Sequence, residues 1–261
     1  MARALFHRAA NFLRTLTGRE RTLVANIHLG YSLAFVAGAI NAGGFLAVHQ
    51  YTSHMTGIVS LMADHWVTGS TGVALSALAA LVSFAAGAAS SAILINWARR
   101  RKLQSEFALP LLVEALLLLC FGVVGANLAT HVWLFVSMTV MLLCFIMGLQ
   151  NAIVTKISNS VIRTTHVTGM VTDIGIELGK LVYINWDRHG KNLPTVRANR
   201  EKLRMQSTLL ILFFVGGLAG AFGFSRLGYA ATIPLAAYLF VLAVLPVVQD
   251  VVSAKKKLGK R

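Results

Sequence analysis

Six long apolar runs dominate the sequence and limit the folds open to it. They cover residues 27–48, 72–97, 108–128, 133–153, 207–225 and 229–248. The hydrocarbon core of a bilayer is about 30 Å thick, and a helix that rises about 1.5 Å per residue needs roughly 20 residues to cross it. Each run is close to that length. The sequence therefore predicts an all-α polytopic membrane protein with six transmembrane helices.

The placement of charge predicts the orientation of these spans. The chain has 24 Lys and Arg residues against 9 Asp and Glu, a formal net charge of +15. In a soluble protein this balance would suggest a nucleic-acid partner, but here the cations lie in clusters between the apolar runs. With six spans, every cation except Arg226 falls on one side, which the positive-inside rule makes cytoplasmic. We expect no nucleic acid as partner, both termini in the cytoplasm, and anionic lipids at the cytoplasmic face.

The chain divides into three parts on this reading. Residues 1–26 form a basic cytoplasmic segment, where apolar residues between arginines predict a helix lying on the membrane surface. A mitochondrial transit peptide has a similar composition and is the alternative. Residues 27–248 form a single membrane domain, and residues 249–261 form a basic cytoplasmic tail.

Two shorter and more polar segments, 55–66 and 165–184, accompany an internal repeat. The pattern G-x-x-N-A occurs at 38–42 and 148–152, and T-[ST]-H-x-T-G follows at 52–57 and 164–169. Each half reads span, polar segment, span, span, and three crossings per half turn the second copy upside down. The sequence predicts a 3+3 inverted repeat, with repeat A at 27–128 and repeat B at 133–248. Each half would contain one short polar helix, either re-entrant or interfacial.

The paired motifs resemble those of the YoaK-like family of bacterial membrane proteins, a domain of unknown function. The resemblance rests on Y-T-S-H-M-T-G at 51–57 and R-T-T-H-V-T-G at 163–169, and it covers about residues 28–248. It implies a multi-pass protein of the bacterial inner (cytoplasmic) membrane. It carries over no activity and no catalytic or substrate-binding residue.

Polar residues in the repeated motifs, together with the aspartate that follows each motif, are the candidates for a solute site. They are Asn41 and Asn151, His54 and His166, Thr56 and Thr168, and Asp64 and Asp173. Ionisable groups within spans are functional candidates, and we expect the histidines and aspartates to face one polar cavity. For the histidines, the alternative is a structural role as caps of the polar segments. Glu177 and Lys180, three residues apart, are expected to pair at the cytoplasmic interface.

Glu114 is a candidate buried acid, because it stands among Leu, Val and Ala residues. A charge at the centre of a span costs about 2.5–3.5 kcal/mol on insertion scales. Protonation, a hydrogen bond from another span, or a shallow position near the headgroups would offset this cost. Cys120 and Cys144 lie in apolar runs without C-x-x-C or H-x-x-x-H patterns, so we expect neither a metal nor a cofactor.

The function predicted from the repeat is that of a small secondary transporter or channel. Interrupted segments at matching positions of two inverted halves indicate a site at their interface, here for an unidentified small solute. The alternative is a membrane scaffold or lipid-interacting protein that transports nothing. Walker, Rossmann, G-x-S-x-G and H-E-x-x-H motifs are absent from the sequence, so we do not expect an enzyme. Small-residue stripes at 216–223 and 85–91 indicate close helix packing, and a homo-oligomer is left open.

Overall fold

Every regular element in the described part of the chain is helical. The computed structural model describes residues 13, 15–19, 21–126, 132–185 and 195–258, with the backbone alone at 132–136 and 257–258. The helices of the first half are α1 (Leu23–Val48), α2 (Met55–Val67), α3 (Thr71–Arg100) and α4 (Ala108–Ala126). Those of the second half are α5 (Val132–Ser158), α6 (Val167–Val182), α7 (Arg200–Leu227) and α8 (Thr232–Leu258). A short 3₁₀ turn, Gly228–Ala231, joins α7 to α8.

Several of these helices are long and apolar enough to cross a membrane. The described residues contain five such stretches, namely Leu23–Val48, Thr71–Arg100, Ala108–Ala126, Ser137–Ser158 and Arg200–Lys256. The last stretch has 57 residues and includes both α7 and α8. As one straight helix it would extend about 85 Å, far beyond the thickness of the hydrocarbon core. Gly228, with a φ of 56°, stands at the break between its two helices.

Three hydrogen bonds show which helix starts and helix ends lie together on one side of the molecule. Asn26, near the start of α1, donates to the carbonyl of Ile157, near the end of α5, at 2.8 Å. Lys156 donates to Asn96, near the end of α3, at 3.0 Å. Just before α4, the main-chain N–H of Ser105 donates to a carboxylate oxygen of Asp250, near the end of α8, at 2.8 Å. This end therefore holds the starts of α1 and α4 and the ends of α3, α5 and α8.

Helix α7 starts at the same end, because it runs parallel to α1. Contacts between the two helices advance together, from Gly216 against Phe35 to Phe224 against Gly43. The chain consequently reverses direction at the 3₁₀ turn between α7 and α8. Most cation clusters adjoin this end, including 99–102, 200–204 and 255–256, whereas Arg226 lies at the opposite end of α7. We call it the cationic end.

Glycines bring four of the long helices into backbone contact. Each lies against a main-chain carbonyl of its partner: Gly38 on Phe213, Gly216 on Phe35, Gly87 on Phe145, and Gly148 on Phe84. A Cβ atom at any of the four glycines would overlap the partner's backbone. Small residues allow such close packing between helices in lipid. The α1–α7 and α3–α5 contacts thus have the same form, and each joins one half of the chain to the other.

The observed helix ends extend past several of the predicted ones. α1 begins at Leu23 rather than 27, α7 at Arg200 rather than 207, and α8 continues to Leu258, through most of the predicted tail. Hydropathy marks where a helix enters apolar surroundings, whereas Lys, Arg and Ala continue a helix into water. Of the predicted surface helix at 1–26, the described residues 13, 15–17 and 23–26 are helical, Leu16 is buried, and Thr17 donates to the carbonyl of Leu242 at 2.8 Å. Residues 1–12, 14 and 20 lie outside the described residues.

A methyl group added at Gly148 should force α3 and α5 apart. The new Cβ would meet main-chain atoms of Phe84, which cannot rotate away, so we expect Gly148→Ala to lower the free energy of unfolding by about 1–3 kcal/mol. Thermal unfolding in detergent measures the loss. Gly175→Ala in α6 is the control, because no atom lies within 4 Å of the added Cβ. Equal effects of the two substitutions would contradict the close helix contact.

Candidate functional site

A cavity of about 480 Å³ lies where the two halves of the chain meet. From the first half it is lined by Asn41, Tyr51, Ser53, His54, Met55, Thr56 and Phe84. From the second half it is lined by Asn151, Thr165, His166, Val167, Thr168 and Phe213. Both repeated motifs therefore reach the same cavity. Of the predicted pairs, the asparagines, histidines and threonines all lie in its lining.

Each motif carries the chain back from a helix end to a point about two turns before that end. Asn41 lies seven residues before the end of α1, and its Oδ1 accepts a hydrogen bond from Ser53 Oγ at 2.9 Å. Asn151 also lies seven residues before the end of α5, and its Oδ1 accepts from Thr165 Oγ1 at 2.7 Å. These bonds place the starts of α2 and α6 about 10 Å back along the preceding helices.

The two short helices begin with the same local conformation. His54 and His166 hold the N-cap positions, with φ and ψ of −93° and 70° in one and −86° and 63° in the other. Gly57 and Gly169 leave room for the two imidazole rings, because a Cβ at either glycine would overlap the preceding histidine. The pattern H-x-T-G thus has a steric basis in both copies.

The histidines hold the N-cap positions, but their side chains do not provide the capping hydrogen bonds considered for them. Neither His54 nor His166 makes a side-chain hydrogen bond to the first turn. The first N–H groups of an α-helix have no partner within the helix. Both helices consequently present main-chain N–H donors where they begin, beside the cavity.

Hydrogen-bond donors and acceptors both remain among the polar groups at the cavity. Ser53 and Thr165 have given their hydroxyl hydrogens to the asparagines, whereas the hydroxyls of Thr56 and Thr168 and the first main-chain N–H groups of α2 and α6 can still donate. The Oδ1 atoms of Asn41 and Asn151 already accept the motif hydroxyls. Arg163 Nη1 lies 3.3 Å from His166 Nδ1, and a guanidinium can only donate, so neutral His166 carries its proton on Nε2. Among the described residues that line the cavity there is no Asp, Glu, Lys or Arg. The site can therefore offer N–H and O–H groups to a solute without a competing carboxylate.

Asp64 and Asp173 do not line this cavity, so their predicted position beside the histidines is corrected. Asp64 is exposed, ten residues after His54. Asp173 accepts from Lys202 Nζ at 2.9 Å and from Gln206 Nε2 at 3.3 Å, both on α7. Because α2 and α6 lead away from the cavity at about 1.5 Å per residue, residues seven to ten positions on are displaced by roughly 10–15 Å.

The predicted Glu177–Lys180 pair is present at the far end of α6. Lys180 Nζ donates to Glu177 Oε1 at 2.8 Å, and the main-chain N–H of Asn199 donates to Oε2 at 2.7 Å. The hydrogen bond from Lys180, and then that from Asn199, lowers the pKa of Glu177 below its ordinary value. The pair joins the end of α6 to the start of α7 at the cationic end.

Glu114 lies on α4, away from the cavity lining, and its side chain is completely buried. Gln150 Nε2 on α5 donates to Glu114 Oε1 at 2.8 Å. Of the three ways to accommodate this acid, the structure contains the hydrogen bond from another helix. Gln150 is the neighbour of Asn151, which belongs to the cavity.

Seven of the described lining residues are absent from the predicted site, and two of them, Phe84 and Phe213, also lie outside both motifs. Each begins an F-x-x-G pattern, and the complete set is 35–38, 84–87, 145–148, 213–216 and the overlapping 214–217. Apart from 214–217, two copies fall in each half, and the glycine of each lies against a main-chain carbonyl of a helix from the other half. This second internal repeat is the signal from which both phenylalanines could have been predicted.

An all-helical chain with several helices of spanning length and apolar composition is an integral membrane protein. A family model described as "Protein of unknown function (DUF1275)" matches residues 29–245, and the chain belongs to that family. No curated protein and no solved structure matches the chain. Within the described residues, no group of three or more His, Cys, Asp or Glu side chains is arranged to hold a metal ion.

Proposed function

We propose that the protein is a small secondary transporter or channel whose solute passes through the cavity between the two motifs. The observation that carries this proposal is the meeting of the starts of α2 and α6 at one cavity. Irregular backbone at membrane depth is tolerated only against protein or beside a water-filled space. Interrupted helices at corresponding positions of two halves are typical of transporter sites.

In this proposal α1, α3, α4, α5, α7 and α8 cross the membrane as a 3+3 inverted repeat. Its support is the alternation of helix ends and the equivalent α1–α7 and α3–α5 contacts. The positive-inside rule makes the cationic end cytoplasmic, which gives both termini the same side. The resemblance to YoaK-like proteins favours the bacterial inner membrane. Helices α2 and α6 are re-entrant, α2 from outside and α6 from the cytoplasm.

The solute that this cavity suits best is a small anion. A helix N-terminus carries roughly half a positive charge, and α2 and α6 direct two of them at one space. Side-chain and main-chain donors line the same space, and none of its described residues is acidic. A cation would be opposed by both helix ends. The two helix starts therefore favour an anion over a cation as the solute.

Anion uptake by proteoliposomes tests this function. With chloride, formate and inorganic phosphate as probes, we expect uptake of at least one by the parent protein and little uptake of potassium. Thr56→Asp or Thr168→Asp would place a carboxylate in the lining, and uptake should fall at least about tenfold, equivalent to about 1.4 kcal/mol.

Two controls accompany this measurement. Thr71→Asp adds the same charge at an exposed position, and Asp64→Asn removes a charge outside the lining. Both should retain uptake within about twofold of the parent, since neither changes the field at the cavity. Absence of uptake of every probe by the folded parent would favour the scaffold or lipid-interacting alternative.

Single cysteines test the six-span arrangement separately. Cys120 and Cys144 are first replaced by alanine, and a cysteine is then placed at exposed Ser70, Arg101 or Ser253. Because the cationic end is assigned to the cytoplasm, we expect an impermeant thiol reagent added to intact cells to label only Ser70→Cys. The other two should react after the membrane is opened. Labelling of Arg101→Cys from outside would contradict the arrangement.

A further inference from the structure

Glu114 and Gln150 form a polar pair in an otherwise apolar part of the core. Both residues have 0% exposure. Gln150 Nε2 donates to Glu114 Oε1 at 2.8 Å, but Glu114 Oε2 and Gln150 Oε1 have no hydrogen-bond partner. Buried residues one turn away on the same helices, such as Leu111, Leu118 and Met147, are apolar. Two acceptor oxygens therefore lie buried, one on each side chain, without a donor.

A single proton would satisfy both oxygens. A carboxylic acid and a primary amide can pair through two hydrogen bonds, one from the amide N–H and one from the acid O–H. The first bond is present, and the second requires a hydrogen on Glu114 Oε2. An isolated buried carboxylate takes up a proton because its charge is poorly solvated. We propose that Glu114 and Gln150 form a proton-binding site, in which Glu114 is a neutral acid that shares its proton with Gln150 Oε1.

The other titratable groups on α4 and on the elements packed against it are either engaged elsewhere or exposed. Those engaged elsewhere are Glu106, paired with Arg99 at 2.6 Å; Asp250, bound to the main chain of Gln104 and Ser105; Lys156, bound to Asn96; Arg21, over the ring of Phe107; Cys144, packed with Ile58 and Ala77; and Tyr229, against Gly125. Those exposed are Arg100, Cys120, Tyr238, Lys255 and Lys256. In the described part of the chain no hydrogen bond or ion pair joins any of them to Glu114. No described cation offsets a charge at this position.

The proton site is one residue away from the solute cavity along α5. Gln150 binds Glu114, while Asn151 binds Thr165 of the second motif and lines the cavity. Loss of the proton would set a carboxylate oxygen against Gln150 Oε1, and their repulsion would displace Gln150. We expect solute uptake to depend on the protonation of Glu114. This consequence rests on the proposed transport function, whereas the proton site itself does not.

Infrared spectroscopy of the full-length protein in lipid tests the proton site without a transport assay. The C=O stretch of a neutral carboxylic acid is separate from the carboxylate bands and shifts in D₂O. At neutral pH the parent should have this band, Glu114→Gln should lose it, and Glu106→Gln should retain it. Glu106 is the matched control because its acid is paired with Arg99.

A second variant distinguishes loss of the proton site from a folding defect in Glu114→Gln. The double substitution Glu114→Gln with Gln150→Glu exchanges acid and amide between α4 and α5, and it should restore the neutral-acid band and the thermal stability of the parent. A parent without the band, or a band unchanged in Glu114→Gln, would overturn the proposal.

Chloride, formate and phosphate uptake between about pH 5 and pH 8 tests the coupling to the cavity. Uptake by the parent should change with pH, and Glu114→Gln should flatten that change while Glu106→Gln preserves it. A neutral-acid band together with a parent that transports none of the probes would uphold the proton site and contradict the transport function. Uptake with unchanged pH dependence in Glu114→Gln would contradict the coupling.

Discussion

Backbone contact at four glycines is the constraint on which the rest of this structure depends. In lipid, apolar side chains gain little by leaving their surroundings, so helices associate through close packing and hydrogen bonds. Gly38 and Gly148 each lie against a helix of the other half, and the motif asparagines follow them three residues later. The contacts that join the two halves therefore also set the position of both asparagines, and with them the starts of α2 and α6.

The hydrogen-bond requirements of the two helix starts connect the fold to its proposed activity. A helix that begins inside a membrane protein presents main-chain N–H groups that need a partner other than bulk water. Ser53 and Thr165 bond the asparagines rather than capping the helices, and the histidines leave the first turns uncapped. The donors that remain can bind water or an anion in the cavity. The described acids of α6 and α8 are instead engaged at the cationic end, in Glu177–Lys180, Asp173–Lys202 and Asp250–Ser105.

Hydropathy and the repeated motif predicted the helical membrane class, the two short helices and the lining asparagines, histidines and threonines. The observed α2 and α6 agree with the predicted segments to within two residues at each end. Asp64 and Asp173 were misplaced because helical spacing defines a face but not the direction in which a short helix leaves its start. Phe84 and Phe213 were missed because an aromatic residue in an apolar run resembles a lipid-facing one until F-x-x-G is recognised as a repeat. Gln150 could not be predicted as the partner of Glu114, since that contact depends on the packing of α4 against α5.

The meeting of the two motifs in one cavity is tested most directly by cross-linking. Thr56→Cys and Thr168→Cys, combined in a chain without Cys120 and Cys144, should be joined within one molecule by a short bifunctional thiol reagent, because both positions line the same cavity. The pair Asp64→Cys and Asp173→Cys should react singly without being joined, since neither residue belongs to that lining. If the first pair reacts at both cysteines and forms no cross-link within the molecule, the two helix starts do not share a cavity and the account is contradicted.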